Sequence, residues 1–146
     1  MHLVAFQPDI PQNVGALMRL SVCFGLTLHV IEPCGFPYSD KAVRKAAMDY
    51  AADVDLHDWS NWDAFQAGRE QGRLVLLTTK GDVAHWDIDW RTDDYLIIGR
   101  ESAGAPDFVH QAADQRVVIP MPGGGRSLNM AMSAGIVAAE AMRPGR

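Results

Sequence analysis

The stretch Val117-Val118-Ile119-Pro120-Met121-Pro122-Gly123-Gly124-Gly125-Arg126-Ser127-Leu128-Asn129 decides the reading of this chain. It reads as a short buried strand, a glycine loop and the opening of a helix. Three consecutive glycines let the backbone take positive φ and approach a ligand closely. Ser127 is placed to cap a helix running from Leu128 to about Met142. A loop that ends on a helix N-terminus offers N–H donors to an acceptor-rich ligand. The two familiar phosphate patterns do not fit. The P-loop needs Lys followed by Ser or Thr after its last glycine, and Arg126 stands there. The dinucleotide loop needs G-x-G-x-x-G opening a helix, and the order here differs. The loop therefore serves a ligand of another kind.

Working outward, the rest of the chain alternates short apolar runs with helical patterns. Leu3 to Phe6 is a strand closed by Pro8 and Pro11. Asn13 reads as the cap of a helix whose apolar positions include Val14, Leu17 and Met18, stopped by Gly25. Further strands are expected at 26–31, 54–56, 74–78, 95–98 and 117–119, and further helices at 40–50, 62–71 and 106–113. Continuous apolar strands alternating with helices predict an α/β fold, a mainly parallel sheet with helices on both faces. Ligands of such sheets bind at the carboxyl ends of the strands. Three such ends carry polar or glycine loops: Thr78-Thr79-Lys80-Gly81, Gly99-Arg100-Glu101-Ser102-Ala103-Gly104, and 120–127. The site is expected there.

Composition narrows the class. With 146 residues, 48% of them hydrophobic, the chain suits one domain, 1–146, with a sizeable core. No apolar run is long enough to span a bilayer. The N-terminus enters a strand directly, without a basic region or cleavage site, so a cytoplasmic protein is expected. Cys23 and Cys34 lack metal spacing and read as buried, reduced thiols. The five histidines show no ligand spacing either, so no metal is expected. A net charge of −5 argues against a general nucleic-acid coat protein, though not against a local basic patch. Trp59, Trp62, Trp86 and Trp90 read as core or interface. The last helix is apolar nearly all round and should be buried on several sides, by an intramolecular core plus a dimer interface.

Set beside Pro11, Asn13, Gly15 and Arg19, the three loops give a pattern that resembles the SPOUT superfamily of S-adenosylmethionine-dependent RNA methyltransferases. Its minimal, single-domain branch, which methylates the ribose of the wobble cytidine or modified uridine of tRNA, is the most similar. The second motif is matched by residues Leu96 to Gly104, and the third by Ile119-Pro120-Met121 through Arg126-Ser127-Leu128-Asn129. Ile31-Glu32-Pro33, Asp49-Tyr50 and Thr78 to Gly81 are also similar to that branch. The resemblance runs essentially end to end. It implies a deep C-terminal trefoil knot, a homodimer, S-adenosylmethionine as cofactor and tRNA as substrate. The triple glycine departs from the branch, which carries a bulkier segment before Arg126-Ser127.

Each candidate residue also has a plain structural reading. By the resemblance Leu77, Gly99, Ile119 and Ser127 match cofactor contacts, with Met121 and Leu128 close by and Thr78, Glu101 and Gly104 in the same loops. Leu77 and Ile119 could be ordinary strand core, Gly99 and Gly104 ordinary turn glycines, and Glu101 a solvated loop acid. Arg19 matches the arginine that this family assigns to catalysis. Arginine is a poor base, with a pKa of ~12 or more, so it either loses a proton in the assembled site or grips a phosphate. Asn13, Ser127 and Asn129 are caps by the plain reading and catalytic-site residues by the resemblance. Lys41, Arg44 and Lys45 form a basic helix face, solvated by default; with Arg126 they are the candidate RNA contacts. Three rivals stay open: ribose methylation at another tRNA or rRNA site, a non-catalytic RNA-binding dimer of the same fold, and a nucleotide- or phosphate-binding protein.

Overall fold

A computed structural model describes residues 1–144; the last two positions of the expected domain lie outside the described residues. The chain forms β1 (His2–Phe6), α1 (Pro11–Phe24), β2 (Thr27–Ile31), α2 (Asp40–Ala47), a 3-10 turn (Met48–Ala52), β3 (Leu56–Trp59) and α3 (Trp62–Gly68). The second half follows with β4 (Leu74–Leu77), β5 (Val83–Ala84), β6 (Tyr95–Ile98), α4 (Asp107–Ala112), β7 (Gln115–Val118) and α5 (Met130–Ala141). The seven strands make one sheet in the order β3-β2-β1-β6-β4-β7-β5, and every pairing is parallel.

The continuous apolar runs have a direct cause. Successive side chains of a strand point to opposite faces, so a sheet covered twice needs apolar residues at every position. Leu3 and Ala5 of β1 join Leu28, Val30, Leu96 and Ile98 under α1, α2 and α5. Val4 and Phe6 join Ile31, Leu76, Tyr95 and Ile97 under Phe65 of α3 and Val109 of α4. At the amino end of β6, the wholly buried Asp94 accepts from Arg73 Nε at 2.8 Å and Nη2 at 2.7 Å. That bidentate pair, with the Arg91 N–H at 2.8 Å, satisfies a charge that would otherwise be costly to bury.

Two local features set how α1 sits. Pro11 occupies the first turn of α1, where its missing N–H costs nothing. Gly15 lies so close to α2 that a Cβ there would stand 2.2 Å from the Ala46 carbonyl oxygen.

Several details differ from the sequence reading. Asn13 does not cap α1, which begins two residues earlier after Ile10. Ser127 does not cap the last helix; Asn129 does, its Oδ1 accepting from Ala131 N at 2.9 Å and Met132 N at 3.1 Å. Of the three consecutive glycines only Gly124 has positive φ, at 77°. Cys23 is exposed on α1 and Cys34 is half-buried, because α1 turns its Cys23 side outward. Burial pushes the Cys34 thiol up to about 12, with nearby carboxylates adding to it. Trp59 and Trp62 pack on the core as expected, and Trp86 is exposed within the single chain. Within the chain the last helix is buried on one side, through Met130, Ala134, Val137 and Ala138, the intramolecular part of the burial expected of it. Met132 (58%), Ile136 (38%) and Met142 (43%) remain exposed on the other.

Candidate active site

The carboxyl ends of β6, β4 and β7, adjacent in the sheet, open into one cavity of about 590 Å³. That lies within the ~300–1,000 Å³ typical of small-molecule sites. Its walls are the three loops singled out above, joined by Ile10 and Asn13 from the start of α1 and by Met130 and Ser133 from α5. Leu77, Ile98, Ile119, Met121 and Leu128 give it apolar surface, and Thr78, Ser127 and backbone edges give it polar points. Glu101 is the one carboxylate among the described wall residues, which also include the cations Lys80, Arg100 and Arg126.

The loops hold one another by hydrogen bonds rather than by core packing. Glu101 Oε2 accepts from Asp9 N at 2.7 Å, and Oε1 accepts from Ile10 N at 3.2 Å and Asn13 Nδ2 at 2.8 Å. The carboxylate thus sits on the N-terminus of α1, where unpaired N–H groups and the helix dipole favour negative charge. Asp9 answers in the other direction, its Oδ2 accepting from Ser102 N at 2.9 Å and Oγ at 2.6 Å. Those bonds hold its carboxyl below the usual range. Asn13 Oδ1 then accepts from Asn129 Nδ2 at 2.9 Å, and Asn129 caps α5. The chain of bonds from Glu101 through Asn13 to Asn129 ties all three motifs together.

Gly99 is required by space. A Cβ there would stand 2.4 Å from the Ala105 backbone nitrogen, because the 99–105 turn folds back and closes with a bridge between Arg100 and Gly104. Thr78 continues β4, its N–H donating to Val117 O at 2.9 Å, and its Oγ1 accepts from Lys80 N at 3.2 Å.

The structure therefore brings Asn13, Leu77, Thr78, Gly99, Glu101, Gly104, Ile119, Met121, Arg126, Ser127, Leu128 and Asn129 to one cavity. Arg19 is elsewhere. It lies two turns along α1, exposed, with its guanidinium carbon 4.8 Å from the centroid of the Tyr50 ring. Lys41, Arg44 and Lys45 are exposed on α2, also off the cavity wall. Sequence reasoning missed Asp9, Ile10, His110 and Ser133. Asp9 alone had a usable signal, an acid between two prolines at a strand's carboxyl end. Among the described residues no three His, Cys, Asp or Glu cluster to hold a metal, and no helix is long and apolar enough to cross a membrane.

Comparison with known proteins agrees with this geometry. Residues 1–139 match the family model described as SpoU rRNA Methylase family. The tRNA (cytidine(34)-2′-O)-methyltransferase of Beijerinckia indica is 50% identical over 97% of this chain and 89% of its own length. The protein of the same name from Ancylobacter novellus is 46% identical over 98% of this chain and 92% of its own. A solved structure concerned with 2′-OH methylation of C/U34 on tRNA superposes with a TM-score of 0.89 at 38% identity, covering 96% of this chain and 92% of that one. The SpoU methyltransferase AviRb of Streptomyces viridochromogenes, in complex with AdoMet, superposes with a TM-score of 0.82 at 26% identity, covering 97% of this chain and 58% of that one. The match over residues 1–139 and the full-length relatives place the chain: it belongs to the SpoU methylase family.

Proposed function

We propose that the protein is an S-adenosylmethionine-dependent tRNA 2′-O-ribose methyltransferase acting on the wobble nucleotide, C34 or a modified U34. The observation that carries this is the full-length similarity to tRNA (cytidine(34)-2′-O)-methyltransferases, joined to a cavity lined by the second and third motifs and by Asn13 of the first. Identity favours tRNA over rRNA: the two tRNA enzymes are 46% and 50% identical to this chain, against 26% for the rRNA methyltransferase of Sinorhizobium meliloti.

The cavity suits the cofactor on chemical grounds. The apolar slot of Leu77, Ile119, Met121 and Leu128 fits an adenine, and backbone N–H and C=O groups at the strand ends can read its edges. Lys80, Arg100 and Arg126 suit an amino-acid carboxylate or RNA phosphates. Bound there, S-adenosylmethionine supplies an electrophilic methyl group on sulfur. Asn13 and Asn129, held by Glu101 and the α5 cap, offer amides to a ribose hydroxyl. Ser127 lies on the same wall. Arg19 acts beside the reacting ribose in one of two ways: as a neutral base that has lost its own proton and takes that of the 2′-hydroxyl, or as a cation that grips the adjacent phosphate and stabilises developing charge. With the cofactor bound, the 2′-oxygen held in line would take the methyl carbon as its bond to sulfur breaks, leaving S-adenosylhomocysteine, and the hydroxyl proton would pass to neutral Arg19 or to solvent.

Two further readings belong to this proposal. The chain works as one SPOUT domain over 1–146 with a knotted C-terminal third, supported by β7 lying between β4 and β5. It works as a homodimer, supported by the exposed apolar side of α5 beside Leu20 of α1. Arg19 shares the outer side of α1 and stands off its own cavity. Pairing through α1 and α5 brings the Arg19 of one protomer towards the cavity of the other. Arg73, Arg116 and Arg143 are neutralised by Asp94, Asp82 and Glu140. No ion pair is formed by Arg19, Lys41, Arg44, Lys45 or Arg126 among the described residues, which leaves them for RNA phosphate on an otherwise acidic chain. The operating compartment is the cytoplasm, where tRNA is processed.

Equilibrium titration separates this from the phosphate-loop reading. S-adenosylmethionine should bind and ATP should not displace it. Displacement by ATP at comparable concentration would favour the nucleotide-binding reading.

A further inference from the structure

Arg19 is exposed on α1, yet it is not free in space. Its guanidinium carbon stands 4.8 Å from the centroid of the Tyr50 ring, within the range of a cation–π contact. Tyr50 belongs to a different element, the 3-10 turn Met48–Ala52. Two backbone features bring it there. The bare Gly15 lets α1 and α2 approach until only hydrogen fits between Gly15 and the Ala46 carbonyl. Directly after α2, Met48 takes φ 54°, a conformation rare for a residue with a side chain. That reversal ends the helix and lays the following turn, with Tyr50, beside α1.

We infer that Tyr50 is a positioning residue for Arg19, its ring holding the guanidinium plane in place for the methyl-transfer step. This rests on the methyltransferase reading and on the role of Arg19 in it. An arginine held over an aromatic ring keeps N–H donors free for phosphate or a ribose oxygen. A carboxylate partner would occupy those donors, and Arg19 has none among the described ion pairs. Without the ring, a long side chain on a helix surface samples many rotamers, and each reacting encounter must first order it. Tyr50 touches neither the cavity nor any of its wall residues by hydrogen bond, so its effect runs through Arg19.

The test is single-turnover methyl transfer to tRNA, with cofactor affinity and melting temperature measured on the same samples. Tyr50→Leu should slow transfer about two- to fivefold, the size of an exposed cation–π contact, without changing the affinity for S-adenosylmethionine. Tyr50→Phe, which keeps the ring, should stay within about twofold of the wild type. In an Arg19→Lys background Tyr50→Leu should add little further loss, since coupled residues are not additive. Tyr50→Met, bulky but without a π face, repeats the test if Tyr50→Leu melts early. Wild-type transfer by Tyr50→Leu beside a dead Arg19→Ala would overturn the role of Tyr50 alone. Wild-type transfer by Arg19→Ala would overturn the role of Arg19 and this inference with it. Equal losses in Tyr50→Phe and Tyr50→Leu would assign the effect to the hydroxyl and overturn the inference too.

Discussion

Asn13 Oδ1 accepts from Asn129 Nδ2 at 2.9 Å across 116 residues of chain, while Asn13 Nδ2 donates to Glu101 Oε1 at 2.8 Å. One amide, 7% exposed, thereby sets the spacing of all three motif loops. Asn13→Ala should leave the Glu101 carboxylate and the Asn129 amide each short of a partner. The expected cost is about 1–2 kcal/mol of stability. Methyl transfer should fall further than cofactor affinity. Asn13→Asp should be worse at neutral pH, because a second carboxylate would face Glu101 at hydrogen-bond distance. Urea unfolding and single-turnover rates of the two variants check the order. Asp equal to or better than Ala would show that Glu101 is not charged against Asn13.

Gly99→Ala tests the cavity separately. Its Cβ would meet the Ala105 nitrogen at 2.4 Å, so the 99–105 turn must open. Cofactor affinity should drop by at least about tenfold, roughly the loss of one good polar contact. Circular dichroism should be unchanged. Unaltered affinity by calorimetry would remove this turn from the cofactor site.

His29 predicts an acid limit. Trp59 Nε1 donates to His29 Nδ1 at 3.0 Å, and His29 Nε2 lies 3.0 Å from His2 Nδ1. Burial first, then the charges of His2 and His57, lowers its pKa to about 4. An unfolded histidine titrates near 6.5. Between those values the unfolded chain binds the proton and the folded chain does not. Stability should therefore be level above about pH 6.5, fall on the order of 2 kcal/mol as the pH drops towards 4, and lose no more through this group below that. His29→Gln should flatten the slope in urea titrations at stepped pH. An equal slope in both proteins would place the acid sensitivity elsewhere.

Pairing through α5 is tested by charge. Ile136 is 38% exposed on a side that also shows Met132 and Met142. Ile136→Asp should yield monomers in sedimentation at micromolar concentration, with native far-ultraviolet circular dichroism and lost methyl transfer. A dimer of unchanged affinity would move the interface away from this face.

Much of this architecture was legible in the sequence because it is local. Leu74–Leu77 and Tyr95–Ile98 are buried on both faces and read as unbroken apolar runs. The two-residue β5 carries no periodicity and was invisible. β3 was placed early because His57 and Asp58 are exposed on an edge strand, which weakens its pattern. The cavity-lining loops were found because they follow strand ends. The cap of α5 was assigned to Ser127 rather than Asn129, since the choice depends on a bond to Asn13 that no local pattern records. The Arg19–Tyr50 contact was hidden for the same reason; it needs the close approach of Gly15 to Ala46.

The central claim is tested most directly by methyl transfer from labelled S-adenosylmethionine to tRNA lacking ribose methylation, with the product nucleoside located by mass spectrometry. The account predicts 2′-O-methylcytidine or a 2′-O-methylated uridine at nucleotide 34 alone, and none when that nucleotide is replaced by a purine. Methylation at another tRNA position, or of ribosomal RNA with tRNA untouched, would contradict it.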